Sequence, residues 1–337
     1  MFVRIVVTGG AGFIGSHFVK HVLAGRYEAF GAARVTVLDK LTYAGTLGNL
    51  HAVADDPRLR VVRGDICDAQ VVARVLDGAD LVVHFAAESH VDRSIADADA
   101  FVRTNVLGTQ RLLDAARAAR VPRFVHVSTD EVYGSVAGDD RWDENAPISP
   151  NSPYAASKAS SDLLALAYHR THGLDVCVTR CSNTYGPHQH PEKVVPRFVT
   201  QLLTGGRVPL YGDGSNVRDW LHVDDHCQGV ALVAAGGRPG HVYHIGGGTE
   251  LTNRELTERL LELLGADFSR VDHVPDRKGH DLRYALDTGK IAVELGYAPA
   301  VSFDDGLART VSWYAAHREW WEPLRRAVLP AGDAVRV

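Results

Sequence analysis

Methionine and cysteine are scarce in this chain, lysine is little used, and no long apolar run occurs. With a single methionine and 4 cysteines (Cys67, Cys177, Cys181 and Cys227), none in a C-x-x-C pair, reduced structural thiols are the default. No run approaches the roughly 20 apolar residues that a membrane-spanning helix needs. The opening "MFVRIVVTGG" reads as a strand with no charged-then-apolar leader, so a cytoplasmic protein is expected. Basic side chains are scattered and the net charge is -5, which leaves no electrostatic footprint for nucleic acid. His188 and His190 in "PHQHPEK" have no second ligand cluster to join them, and no metal is expected. What remains is a globular composition, 45% hydrophobic and 23% charged, over 337 residues: enough for two lobes.

Short β-branched runs alternate with helix-length segments through the first half: "RIVVTG", "RVTVLD", "RLRVVRGD", "DLVVHFAA", "RFVHVST" and "LDVCVTR". This rhythm predicts an α/β fold, a doubly wound (Rossmann) parallel sheet. Continuous Val and Ile predict strands covered on both faces, with Gly12 to Ala24, Phe101 to Ala119 and Pro153 to His172 as covering helices. After Arg180 the chain turns Gly- and Pro-rich, with a return strand near "HVYHIGG" and a helical end. The expected division is a dinucleotide-binding domain of 1–184 with about 221–247, and a smaller mixed α/β substrate lobe of about 185–220 with 248–337.

In open α/β sheets ligands bind outside the carboxyl ends of the strands. Here those ends carry Gly9 to Gly15, Asp39, Asp65 with Ile66, Ala86 with Ala87, Ser128 to Glu131, and Asn183. "TGGAGFIG" spaces Gly9, Gly12 and Gly15 so that backbone can approach a pyrophosphate at a helix start, alongside Phe13 and Ile14. Asp39 closes the second strand, placed to accept from a ribose 2′-hydroxyl and to repel a 2′-phosphate, which favours NAD over NADP; Lys40 follows it.

In "NSPYAASKAS", Asn151 or Ser152 can cap a helix with Pro153 in its first turn, putting Tyr154 and Lys158 on one face. Among only 6 lysines in an arginine-rich chain, Lys158 looks chosen for its compact ammonium. Together with a positive nicotinamide it would favour the tyrosinate, a base for a sugar hydroxyl. Asp130 and Glu131 in "FVHVSTDEVYG" raise a different question. Ser128 and Glu131 have the spacing of a helix capping box, but "VYGSVAGDDRWDENAP" predicts no helix after them. Two adjacent carboxyl groups suit a reaction that needs an acid and a base close together.

"TGGAGFIG", "HFAAESHVDRS", "TNVLGT", "STDEVYG", "SPYAASKA" and "NTYGP", in this order along nearly the whole chain, resemble the extended short-chain dehydrogenase/reductase family, whose members act on nucleotide sugars. "STDEVYG" is similar to its 4,6-dehydratase branch in particular, where epimerases and decarboxylases usually carry small hydroxyl residues at the position of Asp130. The resemblance implies dTDP-glucose as substrate, retained NAD, Asp130 as acid, Glu131 as base and Thr129 bonded to the sugar 4-hydroxyl. It implies Asn183, Arg218 and Asn253 as diphosphate ligands, His280 near the nucleotide ribose, and Lys193, Pro209 and Tyr211 toward the base, with Ser89 and His90 facing the same crevice. It also implies a homodimer formed through a four-helix bundle. Two rival readings are a nucleotide-sugar 4-epimerase, which leaves the acidic pair unemployed, and a dinucleotide-binding regulatory sensor, which needs none of Tyr154, Lys158, Asp130 and Glu131.

Overall fold

The computed structural model describes residues 4–328; the first residues of the expected opening strand and the end of the expected second lobe lie outside the described residues. Strands β1 (Arg4–Thr8), β2 (Arg34–Asp39), β3 (Leu59–Arg63), β4 (Leu81–His84), β5 (Arg123–Thr129) and β6 (Val176–Cys181) form the main sheet. Further along are β7 (Asn183–Tyr185), β8 (Val208–Tyr211), β9 (Val217–His222), β10 (Val242–Ile245), β11 (Glu250–Thr252) and β12 (Val271–Val274). The main sheet has 7 strands in the order β10-β6-β5-β4-β1-β2-β3, and every pairing in it is parallel. Its order reverses between β1 and β4, so the crevice opens where the first glycine turn and Ala86 meet.

The Val- and Ile-rich runs are buried because helices cover both faces. All residues of β4 and of β6 are buried, and separate apolar clusters lie on the two sides, one around Val7, Val37 and Val125, the other around Val82, Phe124 and Leu112. Each such side chain, fully buried, contributes about 1.5–3 kcal/mol of transfer free energy. The return strand is β10, paired to β6 after the helix Val223–Gly236 recrosses the sheet. A third cluster, around Trp220, Leu256 and Val311, fills the remainder, where β11-β9-β7 and β12-β8 form small sheets.

The helices Phe13–Leu23 and Pro153–His172 match their expected spans to within a residue at each end. The segment expected as one helix from Phe101 to Ala119 is instead a short turn, a π-helical stretch Val102–Gly108 and an α-helix Thr109–Ala118. The wider turn carries Asn105, whose amide bonds both ways with the backbone of Glu88 (2.9 and 3.0 Å) and reaches Ser157 Oγ at 2.9 Å. A buried polar anchor of this kind offsets the poorer helix geometry.

Candidate active site

The glycine turn is tight because its backbone touches its neighbours directly. Gly9 has φ +68°, and a Cβ there would lie 2.6 Å from Ala86 N; one on Gly15 would lie 2.3 Å from Gly9 O. No side chain caps the helix that starts after Gly12, so its first amides, of Phe13, Ile14 and Gly15, face an open cavity of about 320 Å³. The same cavity is walled by Asp39, Lys40, Asp65, Ile66, Ala86 and Ala87, then by Ser89, Thr129, Tyr154 and Lys158. A glycine floor, free helix-start amides and a carboxylate at the end of β2 suit a dinucleotide. Each Asp39 oxygen already accepts one backbone N–H, from Leu41 at 2.8 Å and Ala11 at 3.0 Å, which fixes the carboxyl and leaves a lone pair on each. Lys40 turns to Asp65, 2.7 Å away.

Ser152, not Asn151, caps the next helix, accepting from Ala155 N at 3.1 Å; Asn151 instead donates to Asp281 at 2.6 Å. Tyr154 and Lys158 follow on one face, both buried. Lys158 Nζ donates to Val127 O at 2.8 Å, and burial lowers its pKa to about 8. The Tyr154 phenol is driven well upward by burial and then by the charge of Glu131, with Thr129 acting the other way. Burial and the Glu131 carboxylate thus oppose the tyrosinate, which in the expected scheme draws on a bound nicotinamide as well as on Lys158.

Contrary to the expected absence of a helix, Asp130–Tyr133 forms one 3-10 turn, capped by Thr129, whose Oγ1 accepts from Glu131 N at 3.3 Å. Gly134, at φ +73°, ends it; a Cβ there would meet Ser149 O at 2.4 Å. This turn presents both carboxyl groups to the crevice but in unlike surroundings. Asp130 is pushed well up by burial and by Glu131, and its Oδ2 has no hydrogen-bond partner among the described residues. Glu131 is raised by burial too, but Arg277, Lys193 and Arg218 oppose it. Both carboxyls are thus raised, and Asp130, with less positive charge to oppose its burial, holds its proton the more strongly.

Beyond Glu131 a second cavity, of about 170 Å³, is lined by Asn183, Pro209, Tyr211, Arg218, Asn253 and His280. Arg218 is fixed by the carbonyls of Val217 (2.7 Å) and Asp281 (2.9 Å) and stacks on Tyr284, 4.3 Å from the ring centre. His280 bonds Asp276 at 2.6 Å beside Tyr211. Lys193 lies at the junction of the two cavities, lining the second together with Pro209 and Tyr211, and donates to Ser89 O at 2.5 Å. His90 caps the helix Val91–Ala96, its ring accepting from Arg93 N at 3.4 Å. Two lining residues went unnoticed in the sequence. Arg277 occurs in the basic stretch "DRKGHDLRY", and Glu192 follows the histidines of "PHQHPEK"; nothing local distinguishes them from surface charges, yet both face the second cavity.

Comparison with known proteins agrees with this arrangement. The family described as GDP-mannose 4,6 dehydratase matches residues 6–310. A dTDP-glucose 4,6-dehydratase of Streptomyces antibioticus is 65% identical over 332 residues, spanning 98% of this chain and 97% of that protein. The solved structure of DesIV, a dTDP-glucose 4,6-dehydratase from Streptomyces venezuelae with NAD and TYD bound, superposes with a TM-score of 0.95 at 67% identity, covering 96% of this chain and 100% of that one. UDP-glucose 4-epimerase from Thermus thermophilus, in complex with NAD, shares the fold with a TM-score of 0.85 at 33% identity, covering 94% and 100% of the respective chains. This chain belongs to the GDP-mannose 4,6 dehydratase family and, within it, to the group of the dTDP-glucose 4,6-dehydratases.

Proposed function

We propose that the chain is an NAD-dependent hydro-lyase that converts dTDP-glucose to dTDP-4-keto-6-deoxyglucose for deoxysugar biosynthesis. The observation that carries this reading is the Asp130–Glu131 pair beside Tyr154 and Lys158, in which Asp130 holds its proton more strongly than Glu131. An epimerase would have no use for that pair.

Net, the sugar loses one water: carbon 4 is oxidised to a ketone and the carbon 6 hydroxymethyl becomes a methyl. NAD, when bound, supplies the hydride acceptor at carbon 4 and the donor at carbon 6, and is regenerated within the turnover. Gly9, Gly12, Phe13, Ile14, Gly15, Asp39 and the residues from Asp65 to Ala87 would hold it. Tyr154 takes the proton of the 4-hydroxyl while Thr129 orients that hydroxyl. The ketone acidifies carbon 5, whose proton passes to Glu131, and Asp130 gives its proton to the departing 6-hydroxyl. Asn183, Arg218 and Asn253 serve the diphosphate, and Pro209, Tyr211 and His280 the nucleoside. Arg277 and Lys193 counter the rise that burial imposes on the Glu131 carboxyl.

The same reading assigns the sugar-nucleotide lobe to about 185–220 with 248–337. It includes a homodimer built on the helical segments around 102–118 and 153–172, supported by Val102 and Leu163, which are 55% and 54% exposed there. Cytoplasmic residence accords with 4 unpaired cysteines, three of them buried.

The test is to incubate purified protein with dTDP-glucose and no added NAD, following the nucleotide sugar by mass spectrometry. Loss of one water supports the reading. An unchanged mass, with galactose formed, favours the epimerase; inertness with added NAD favours a sensor.

A further inference from the structure

Away from the crevice, the helix Phe13–Leu23 carries His17 and His21 one turn apart, facing Asp224 in the first turn of the helix Val223–Gly236. His17 Nδ1 is 3.6 Å and His21 Nε2 3.2 Å from Asp224 Oδ1, and the three atoms lie within 4.8 Å of one another. Outer partners fix both rings. His17 Nε2 lies 2.9 Å from the carbonyl of Pro187, which can only accept, so that nitrogen carries the hydrogen and a neutral ring turns the Nδ1 lone pair inward. Arg26 can only donate and lies 3.1 Å from His21 Nε2, so that nitrogen too presents a lone pair, with Nδ1–H turned to Tyr27 Oη at 2.9 Å.

With both rings in these neutral tautomers, two imidazole lone pairs and a carboxylate oxygen converge. We propose that His17, His21 and Asp224 form a binding site for a zinc-class divalent cation that clamps the helix Phe13–Leu23 to the helix Val223–Gly236. Ligands about 2.0–2.1 Å from tetrahedral zinc are about 3.3 Å apart, close to the two separations seen here. Each histidine has the outer hydrogen bond that orients metal-bound imidazoles. The cluster's neighbouring cations are Lys20 on the same helix and Arg26, whose guanidinium is 3.9 Å from Asp224 Oδ2. Arg26 borders the cluster on the side of His21 and Asp224 Oδ2, and its side chain is 58% exposed. His222 Nδ1, 3.9 Å from Asp224 Oδ2, accepts from Asp224 N at 3.2 Å and stays outside the ligand set.

The test is titration of the tag-free, chelator-treated full chain with cobalt(II), read by the visible bands of tetrahedral cobalt, with zinc as competitor and the thermal midpoint as a second readout. One cobalt per chain, displaced by zinc, is expected. Asp224→Asn or His21→Gln should weaken binding at least about tenfold, whereas Arg26→Ala should tighten it. Absence of tetrahedral bands, or equal affinity in a folded Asp224→Asn variant, overturns the site. If Arg26→Ala lowers the midpoint without tightening cobalt, the guanidinium is itself the cluster's cation and the proposal fails. Circular dichroism identifies any variant that does not fold, and the remaining substitutions then decide.

Discussion

Lys158 Nζ donates to the carbonyl of Val127, 2.8 Å away, so the ammonium is tied to the end of β5, next to Thr129 and the carboxyl pair. Burial brings its pKa down to about 8. The cation is therefore fully present below that pH and lost as pH rises through it. The rate of water loss should fall above about pH 8, and Lys158→Arg, which keeps its charge, should move that limb upward. A pH profile of kcat/KM for both proteins checks this.

The unlike surroundings of Asp130 and Glu131 predict separable defects. Glu131→Gln should slow water loss by about 10²–10⁴-fold and abolish exchange of the carbon 5 proton with deuterated solvent.

Asp130→Asn should leave that exchange running while water loss slows by a comparable factor. Mass spectrometry in heavy water reads both steps. Unchanged water loss in Asp130→Asn would remove it as the acid.

Tyr154→Phe should stop the reaction before either event. No carbon 5 exchange and no product are expected, with circular dichroism unchanged from wild type.

Beneath the site, Asp162 accepts from Arg180 Nε at 2.9 Å. Burial alone would raise its carboxyl, but Arg180 and then His126 outweigh it and hold the pKa at about 2. A depressed carboxyl stabilises the fold above its unfolded pKa near about 4 and stops doing so as pH falls through about 2, a contribution of about 2 kcal/mol. The difference in unfolding free energy between wild type and Asp162→Asn should shrink across that window in urea titrations.

How far these features were legible varies with how local their causes are. The doubly wound parallel sheet follows from the alternation of Val-rich runs and helical segments, and the Gly9–Gly15 turn from its spacing, because both signals are local in the sequence. The π-helical stretch was hidden, since its cause is the contact of Asn105 with Glu88 and Ser157, far off in sequence. The capped turn after Thr129 was hidden as well, because Gly134 and the later Pro and Gly residues argue locally against any helix. Arg277 and Glu192 read as ordinary charges; only the folded cavity, drawn from distant segments, gives them a direction. The spacing of Tyr154 and Lys158 was plain, but not that a carbonyl of β5 would claim the ammonium.

The two cavities share just Glu131, Asn183, Glu192 and Lys193 among the described residues. Inheritance can therefore act on the halves separately. On the proposed reading, changes at Pro209, Tyr211 or His280 would alter which handle the sugar carries without touching Tyr154, Lys158 or the glycine turn. On that reading a lineage could exchange one nucleotide for another while keeping its chemistry, with those four shared positions binding both halves to a common history.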